Sequence, residues 1–143
     1  MIRGGIILHI IVCLDDDGGM LFNRRRQSRD SKVIDDIIQT IRDKNLYITK
    51  FSEALFKDRQ INLHISEKPW ENADKDDFCF IENADTGEFI NEADAVTIYR
   101  WNKKYPADVY FNMSKLYSCF TLSETCEFNG SSHEVITKEV YRR

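Results

Sequence analysis

A continuous apolar run near the amino terminus most limits the folds open to this chain. Residues Ile6 to Cys13 are apolar and rich in β-branched side chains, interrupted only by His9, and Asp15 to Asp17 follow closely. A strand without polar alternation is typical of a parallel sheet that is covered on both faces. The run is too short for a membrane span of ~20 residues, and it lacks a signal cleavage site. We therefore expect a central buried strand in a cytoplasmic protein.

The size and charge of the chain fit one soluble domain. It has 143 residues, and no repeat or flexible linker divides it, so residues 1–143 are predicted to form a single domain. A formal net charge of -4 provides no basic surface for nucleic acid or an anionic membrane. The four cysteines and three histidines lack metal-ligand spacing. We expect reduced, mostly buried thiols and no structural metal.

Strand and helix patterns alternate along the first part of the chain. From Asp30 to Asp43 the aliphatic residues fall on one helical face, and Ser28, Asp30 or Ser31 could cap this helix. Apolar runs predict strands at Leu46–Thr49, Ile61–Ile65, Phe78–Ile81 and Ala95–Trp101, with a short helix around Ser52–Phe56 and a polar loop over Glu67–Asp77.

The last part of the chain predicts antiparallel strands. Leu116 to Phe128 and His133 to Tyr141 are β-rich runs, and Asn129-Gly130-Ser131-Ser132 joins them as a hairpin signal. Early alternation followed by late strands predicts a three-layer α/β/α domain. Its sheet should be mixed, mostly parallel, and should end in an antiparallel hairpin.

Several segments resemble, in the same order, those of dihydrofolate reductase and its relatives, including the reductase domain of riboflavin biosynthesis. They are IIVCLDDDGGMLFN, SRDSKVIDDIIQTI, NLYITKFSEALF, INLHISEK, FIENADTGEFINEADAVTIYR, YPADVYF and HEVITKEVYRR. The resemblance implies the family's fold, an NADPH site, and a small-molecule cleft between Met20 and the first helix. It also implies that Asp30 protonates a pterin or pyrimidine-like substrate, and that Lys50 and Ser52 lie at the cofactor phosphates.

The chain departs from the family's pattern at the cofactor site. Glu82-Asn83 stands where the family has a Gly-Gly pair that lets the backbone approach the cofactor phosphates. A side chain there would crowd the pyrophosphate, and a glutamate has the wrong charge for a phosphate site. Thr49-Lys50 replaces a Gly-Arg pair, and Leu21-Phe22 lacks the Pro-Trp that lies beside the nicotinamide. Typical NADPH-dependent reduction is therefore not expected.

The candidate site residues each have a second interpretation. Asp30 is either a buried proton donor or an exposed N-cap that accepts backbone N–H groups, and the altered cofactor site favours the N-cap. Lys50 and Ser52 either bind an anion or simply begin a helix. The Arg24–Arg26 run is either an anion clasp or a solvated loop, and the nearby acidic residues favour the loop.

Three functions remain open from the sequence. The preferred one is a divergent non-reductase that keeps the scaffold and a small-molecule cleft. The second is an NADPH-dependent reductase with Asp30 as proton donor. The third is a homodimeric protein-interaction module that uses Trp70, an aromatic residue in a polar segment that either marks a partner surface or closes the core. No Walker loop, GxGxxG motif or local Ser/His/Asp pattern indicates phosphoryl transfer or hydrolysis.

Overall fold

A mixed sheet forms the centre of the protein. The computed structural model describes residues 8–74, 76–84 and 86–143. The strands are β1 (His9–Leu14), β2 (Gly19–Phe22), β3 (Arg25–Arg26), β4 (Asn45–Ile48), β5 (Asn62–Ile65), β6 (Phe78–Phe80), β7 (Ala95–Arg100), β8 (Val109–Tyr110), β9 (Thr121–Phe128) and β10 (Ile136–Arg142). The helices are α1 (Ser31–Ile41), α2 (Glu53–Phe56), α3 (Pro69–Asn72), α4 (Thr86–Phe89) and α5 (Met113–Cys119), with 3₁₀ turns at Lys50–Ser52 and Ile90–Glu92.

The strand order confirms the predicted mixed sheet with a C-terminal hairpin. The seven-stranded sheet has the order β5-β4-β6-β1-β7-β10-β9. Strands β5, β4, β6, β1 and β7 pair in parallel, whereas β10 runs antiparallel to both β7 and β9. The predicted strand Ile6–Cys13 is present from His9 onward, while Ile6 and Ile7 lie outside the described residues. A second sheet, β3-β2-β8, was not predicted, because its strands span only two to four residues.

Hydrophobic side chains cover both faces of the central sheet. Ile11 packs into the cluster on one face, with residues of α1 and α2. Its neighbours Ile10 and Val12 pack into the cluster on the other face, with Met20. All three β1 residues are 0% exposed. This alternation explains the continuous apolar sequence of β1, because each successive side chain points to the opposite layer.

Two of the sequence predictions were wrong in local detail. The segment Glu67–Asp77 contains α3, and Trp70 is 5% exposed with its ring centroid 5.4 Å from that of Phe89. Trp70 therefore closes the core and is not part of a surface. The predicted β-run from Leu116 begins as a helix instead, because the Asn112 side chain caps α5 by accepting from the backbone N–H of Lys115 at 3.0 Å.

The cysteines are free thiols but are not mostly buried. Cys79 is buried and Cys13 is half-buried, whereas Cys119 and Cys126 are exposed. The last two lie at the end of α5 and on the edge strand β9, where few neighbours cover them. Among the described residues, no group of three or more His, Cys, Asp and Glu side chains could hold a metal ion. The described helices include none with the length and apolar character that crossing a bilayer requires.

Candidate functional site

Asp30 forms the N-cap of α1 and is buried beneath the loop that joins β9 and β10. Its Oδ1 accepts from the backbone N–H of Lys32 at 2.9 Å, as an N-cap should. The backbone N–H groups of Ser131 and Ser132 donate to Oδ1 and Oδ2, each at 2.8 Å. The N-cap position agrees with the prediction, but Asp30 is only 2% exposed rather than solvated. The hairpin loop, which the sequence could not place, supplies this cover.

The carboxylate of Asp30 also orients the imidazole of His133. Nδ1 of His133 lies 3.0 Å from Oδ2 of Asp30. Burial alone would raise the pKa of Asp30, but the hydrogen bonds from Ser131, His133 and Ser132 outweigh burial and hold that pKa well below its usual range. An ionised carboxylate can only accept, so Nδ1 carries a proton, and in the neutral imidazole Nε2 then presents a lone pair.

The lone pair of His133 faces two hydroxyl groups. Oγ of Ser28 lies 3.2 Å from Nε2, and the phenolic oxygen of Tyr105 lies 3.0 Å from the same nitrogen. The imidazole stacks on Trp101 with ring centroids 4.7 Å apart and planes inclined by 19°. Its side chain is 4% exposed. We call Asp30, His133, Ser28 and Tyr105 the imidazole cluster.

Gly130 allows the hairpin loop to approach Asp30. A Cβ atom at this position would lie 2.5 Å from Oδ2 of Asp30 and 2.7 Å from the carbonyl oxygen of His133. Any side chain here would push the loop away from α1, because neither neighbouring atom belongs to a flexible chain end. The Gly-Ser-Ser-His sequence therefore provides both the space and the donors that the imidazole cluster needs.

Glu82 is the centre of a second buried cluster. Its Oε1 accepts from Nε of Arg26 at 2.5 Å, and its Oε2 accepts from Nη2 of Arg26 at 2.8 Å and from Oγ of Ser52 at 2.5 Å. Glu82 is 7% exposed and Ser52 is 0% exposed. The hydrogen bond with Glu82 raises the pKa of Arg26. We call Glu82, Arg26 and Ser52 the glutamate cluster.

The residues predicted to bind cofactor phosphates contact protein carboxylates in this structure. Ser52 donates to Glu82, whereas Nζ of Lys50 pairs with Oε1 of Glu53 at 2.5 Å on the surface. Asn83 accepts from the hydroxyl of Thr49 at 3.0 Å. Lys50 and Ser52 therefore do not converge on one vacant anion site.

Cys13 experiences the charges of both clusters. Burial, and then the charge of Glu82, raise the pKa of its thiol well above the usual range, with Asp30 adding to the rise and Arg26 opposing it. The thiol therefore stays protonated at neutral pH, and it lacks the thiolate character of a reactive cysteine.

The predicted cleft between Met20 and the first helix has a different lining. Met20 is 5% exposed and packs on the sheet face opposite α1. A recess of about 310 Å³ lies between α1 and α2, and its lining combines three cationic side chains with the carboxylates of Asp30 and Asp58 and with apolar side chains. The lining includes Arg29, Ile34, Leu55, Lys57 and Arg59. Arg24 and Arg25 are exposed, as a solvated loop predicts, but Arg26 belongs to the glutamate cluster.

Comparison with known proteins decides the fold. No family model matches the chain, and no curated protein sequence matches it significantly. Among solved structures, a dihydrofolate reductase from Enterococcus faecalis complexed with NADP(H) and RAB-propyl is similar over 96% of both chains, with a TM-score of 0.64 and 11% sequence identity. The chain has the dihydrofolate reductase fold. The predicted fold is thereby confirmed, and at 11% identity the likeness extends to architecture alone.

Within this dihydrofolate reductase fold, sequence reasoning missed most of the contacts that define the two clusters. The sequence suggests Ser28 only as a helix cap and His133 only as a histidine without metal-ligand spacing. It suggests Tyr105 only as part of an aromatic and basic patch, whose negative surroundings argue against nucleic-acid binding. The contact between Asp30 and His133 spans 103 positions, so no local spacing could reveal it. The available signal was the hairpin loop, whose small residues and histidine are suited to covering a helix N-terminus.

Proposed function

We propose that this chain uses the dihydrofolate reductase fold without nicotinamide-dependent reduction, and that it binds a small anionic ligand between α1 and α2. The glutamate cluster is the observation that carries this proposal. The Glu82 carboxylate accepts from Arg26 and from Ser52, and Ser52 is one of the two residues predicted to lie at the cofactor phosphates. A cofactor phosphate would have to compete with an internal anion that is already bound.

The expected penalty is large enough to prevent useful binding. To admit a phosphate, Arg26 must release Glu82, which leaves a buried carboxylate without its cation and costs about 3–5 kcal/mol. A micromolar cofactor complex is worth roughly 8 kcal/mol. Since every 1.4 kcal/mol is a factor of about ten, the remaining dissociation constant would lie between roughly 0.2 and 6 mM.

The state of Asp30 supports the same proposal. A proton donor to a pterin needs a carboxyl group whose pKa lies near neutrality. The hydrogen bonds around Asp30 act in the opposite direction and overcome the effect of burial, so its pKa is lowered. Asp30, Lys50 and Ser52, the three residues that the reductase hypothesis requires, are thus all engaged in contacts within the protein.

The recess between α1 and α2 suggests an anionic ligand with an apolar body. Arg29 and Lys57 are exposed at its rim, and Arg59 pairs with Asp35 at 2.8 Å. Ile34 and Leu55 provide the apolar floor. Guanidinium groups suit carboxylate or phosphate ligands because their donors match the oxygen spacing.

An NADPH-dependent reductase is the second candidate. Its support is the similarity in fold to a dihydrofolate reductase complexed with NADP(H), together with Asp30 at the start of the first helix. This function would require the Glu82 side chain to leave Arg26 when the cofactor binds. Asp30 would then also have to exchange its hairpin partners for substrate.

A titration with NADPH and NADH tests the proposal. Binding would be followed by energy transfer from tryptophan to nicotinamide and by thermal shift, with an authentic dihydrofolate reductase as the positive control. Ligand at 100 times its dissociation constant would stabilise the fold by about 2.7 kcal/mol. We expect no response from the native chain and a gain of NADPH binding in Glu82→Gly. Glu53→Ala is the control, because it removes a nearby carboxylate without releasing Arg26, and we expect this variant not to bind NADPH. Tight binding to the native chain would establish the reductase candidate instead.

A further inference from the structure

We propose that Ser28, His133 and Asp30 act as a nucleophile, a base and a positioning carboxylate that together hydrolyse small carboxylic esters. Neither the fold nor the proposed anionic ligand assigns such an activity. The inference rests on the imidazole cluster, in which a carboxylate, an imidazole and a hydroxyl follow one another through hydrogen bonds.

The order of the groups is the one that nucleophilic catalysis requires. Asp30 contacts Nδ1 of His133 at 3.0 Å, and the opposite nitrogen, Nε2, lies 3.2 Å from Oγ of Ser28. A serine hydroxyl is a weak nucleophile until a neighbouring base can remove its proton. The base works best when a third group fixes its orientation and tautomer, which is the role of Asp30 here.

The imidazole is rigidly held in this orientation. Trp101 stacks on one face of the ring at 4.7 Å, and Tyr105 approaches it edge-on at 84°. Asp30 is itself fixed by the backbone N–H groups of Lys32, Ser131 and Ser132. Because both partners are immobile, the lone pair of Nε2 remains directed at the hydroxyl groups beside it.

Ser28 is the accessible member of the cluster. Ser28 as a whole residue is half-buried, whereas the side chains of Asp30 and His133 are 0% and 4% exposed. A surface recess of about 560 Å³ borders His133 and contains Trp101, Lys103 and Val135. Glu134 also lines this recess and offsets the charge of Lys103. The apolar side chains of Trp101 and Val135 therefore fit a small uncharged acyl group.

The proposed reaction is an ordinary acyl transfer to water. Oγ of Ser28 attacks the ester carbonyl carbon while Nε2 of His133 takes the hydroxyl proton. The tetrahedral intermediate then expels the alcohol, which receives that proton, and the acyl group stays on Ser28. A water molecule attacks the acyl-serine, giving its proton to Nε2, and collapse releases the carboxylic acid and returns the proton to Ser28. One ester and one water give one acid and one alcohol.

Tyr105 competes with Ser28 for the same nitrogen. Both hydroxyls lie within hydrogen-bond distance of Nε2, at 3.0 Å for Tyr105 and 3.2 Å for Ser28, and a phenol is in general a better hydrogen-bond donor than an aliphatic alcohol. Removal of the phenolic hydroxyl would leave Nε2 to Ser28 alone. The proposal therefore makes the unusual prediction that Tyr105→Phe increases reactivity.

The test treats the full chain with a fluorophosphonate probe and identifies the labelled peptide by mass spectrometry. Hydrolysis of p-nitrophenyl acetate is measured in parallel. We expect labelling at Ser28 in the native chain and at least a tenfold loss of both signals in Ser28→Ala. Ser123→Ala, which alters an exposed serine on β9, should retain both signals. Tyr105→Phe should label severalfold faster than the native chain.

Asp30 acts only through His133, so its variant needs a spectroscopic readout. Asp30→Asn should change the ¹⁵N shifts of the His133 ring from those of an Nδ1–H tautomer, with reduced labelling of the folded fraction. A folded native chain that is not labelled at Ser28 would overturn the proposal. So would ester hydrolysis that is equally fast in Ser28→Ala, because surface groups would then be responsible. Nicotinamide binding enters none of these measurements, so this outcome is independent of the proposed function.

Discussion

The two buried carboxylates of this protein, Asp30 and Glu82, are stabilised in different ways. Glu82 lies against a guanidinium cation, so its charge is cancelled by Arg26, with Ser52 as a further donor. The oxygens of Asp30 instead accept from backbone N–H groups, a serine hydroxyl and the imidazole of His133. The charge of Glu82 is thus stabilised chiefly by Arg26, whereas the charge of Asp30 is stabilised by several donors, most of them in the β9–β10 loop.

Removal of the single cation should have the largest effect. Arg26→Ala leaves Glu82 buried without a counter-charge, and we expect a loss of about 3 kcal/mol in the free energy of unfolding, measured by urea denaturation. Arg25→Ala is the matched control, because Arg25 is exposed on the same short strand and should change stability by less than about 0.5 kcal/mol. An equally small effect of both substitutions would mean that the ion pair contributes no net stability.

Asp30→Asn should be less harmful at neutral pH, with an expected loss of about 2 kcal/mol from the weakened cap and loop contacts. The folded pKa of Asp30 is lowered below its unfolded value of about 3.9, so its stabilisation is present above that pH and is lost as the pH falls further. Thermal unfolding followed from pH 6 to pH 2.5 should therefore show a shallower acid decline in the variant. If the stabilities of the native chain and of Asp30→Asn fell in parallel with pH, the hydrogen bonds to Asp30 would not stabilise its ionised form.

His9 also makes the stability of the protein depend on pH, and its contribution must be separated from that of Asp30. Burial, and then the charges of Arg142 and Lys138, lower its pKa to about 4. Its folded pKa lies below the unfolded value of about 6.5, so native stability should decline as the pH falls from 6.5 towards 4, by roughly 2 kcal/mol. His9→Gln should flatten this interval and leave the decline below pH 4 unchanged. If the interval stayed steep, another group would be the source.

Gly130→Ala should have the smallest effect and should act on one cluster only. The added methyl group would displace the hairpin loop from Asp30, with an expected loss of about 1–2 kcal/mol in thermal or urea unfolding. Asn129→Ala, at the exposed neighbouring position, is the control. Combined with Arg26→Ala, the Gly130→Ala effect should be additive, because the two clusters share no hydrogen bond.

The sequence predicted the elements that depend on local patterns. The aliphatic periodicity of Val33, Ile37 and Ile41 specified α1, and the apolar run of β1 specified a strand covered on both faces. The start of α5 was missed because Asn112, its cap, is followed by a segment with equal strand character. The smaller sheet was not predicted, because its two-residue strands β3 and β8 are too short to show the alternation of apolar and polar residues that indicates a strand.

The candidate site could be predicted only in part. Asp30, Ser52 and Glu82 were identified as important positions, but their partners were not. Arg26 reaches Glu82 across 56 positions, and His133 reaches Asp30 across 103. Side-chain pairing over such separations depends on the completed sheet, so residue spacing alone cannot show which charges meet.

The covering of Asp30 by the β9–β10 loop also determines when the imidazole cluster can form during synthesis. The hydrogen bond from Ser131 to Asp30 closes 101 positions of chain. While the ribosome is still adding residues before His133, α1 and the parallel strands can already pack, but the imidazole and its covering loop do not yet exist. A nascent chain would thus pass through a stage with Asp30 open to water. Any hydrolytic capacity would therefore appear only after the β9–β10 loop has been synthesised and has packed against α1.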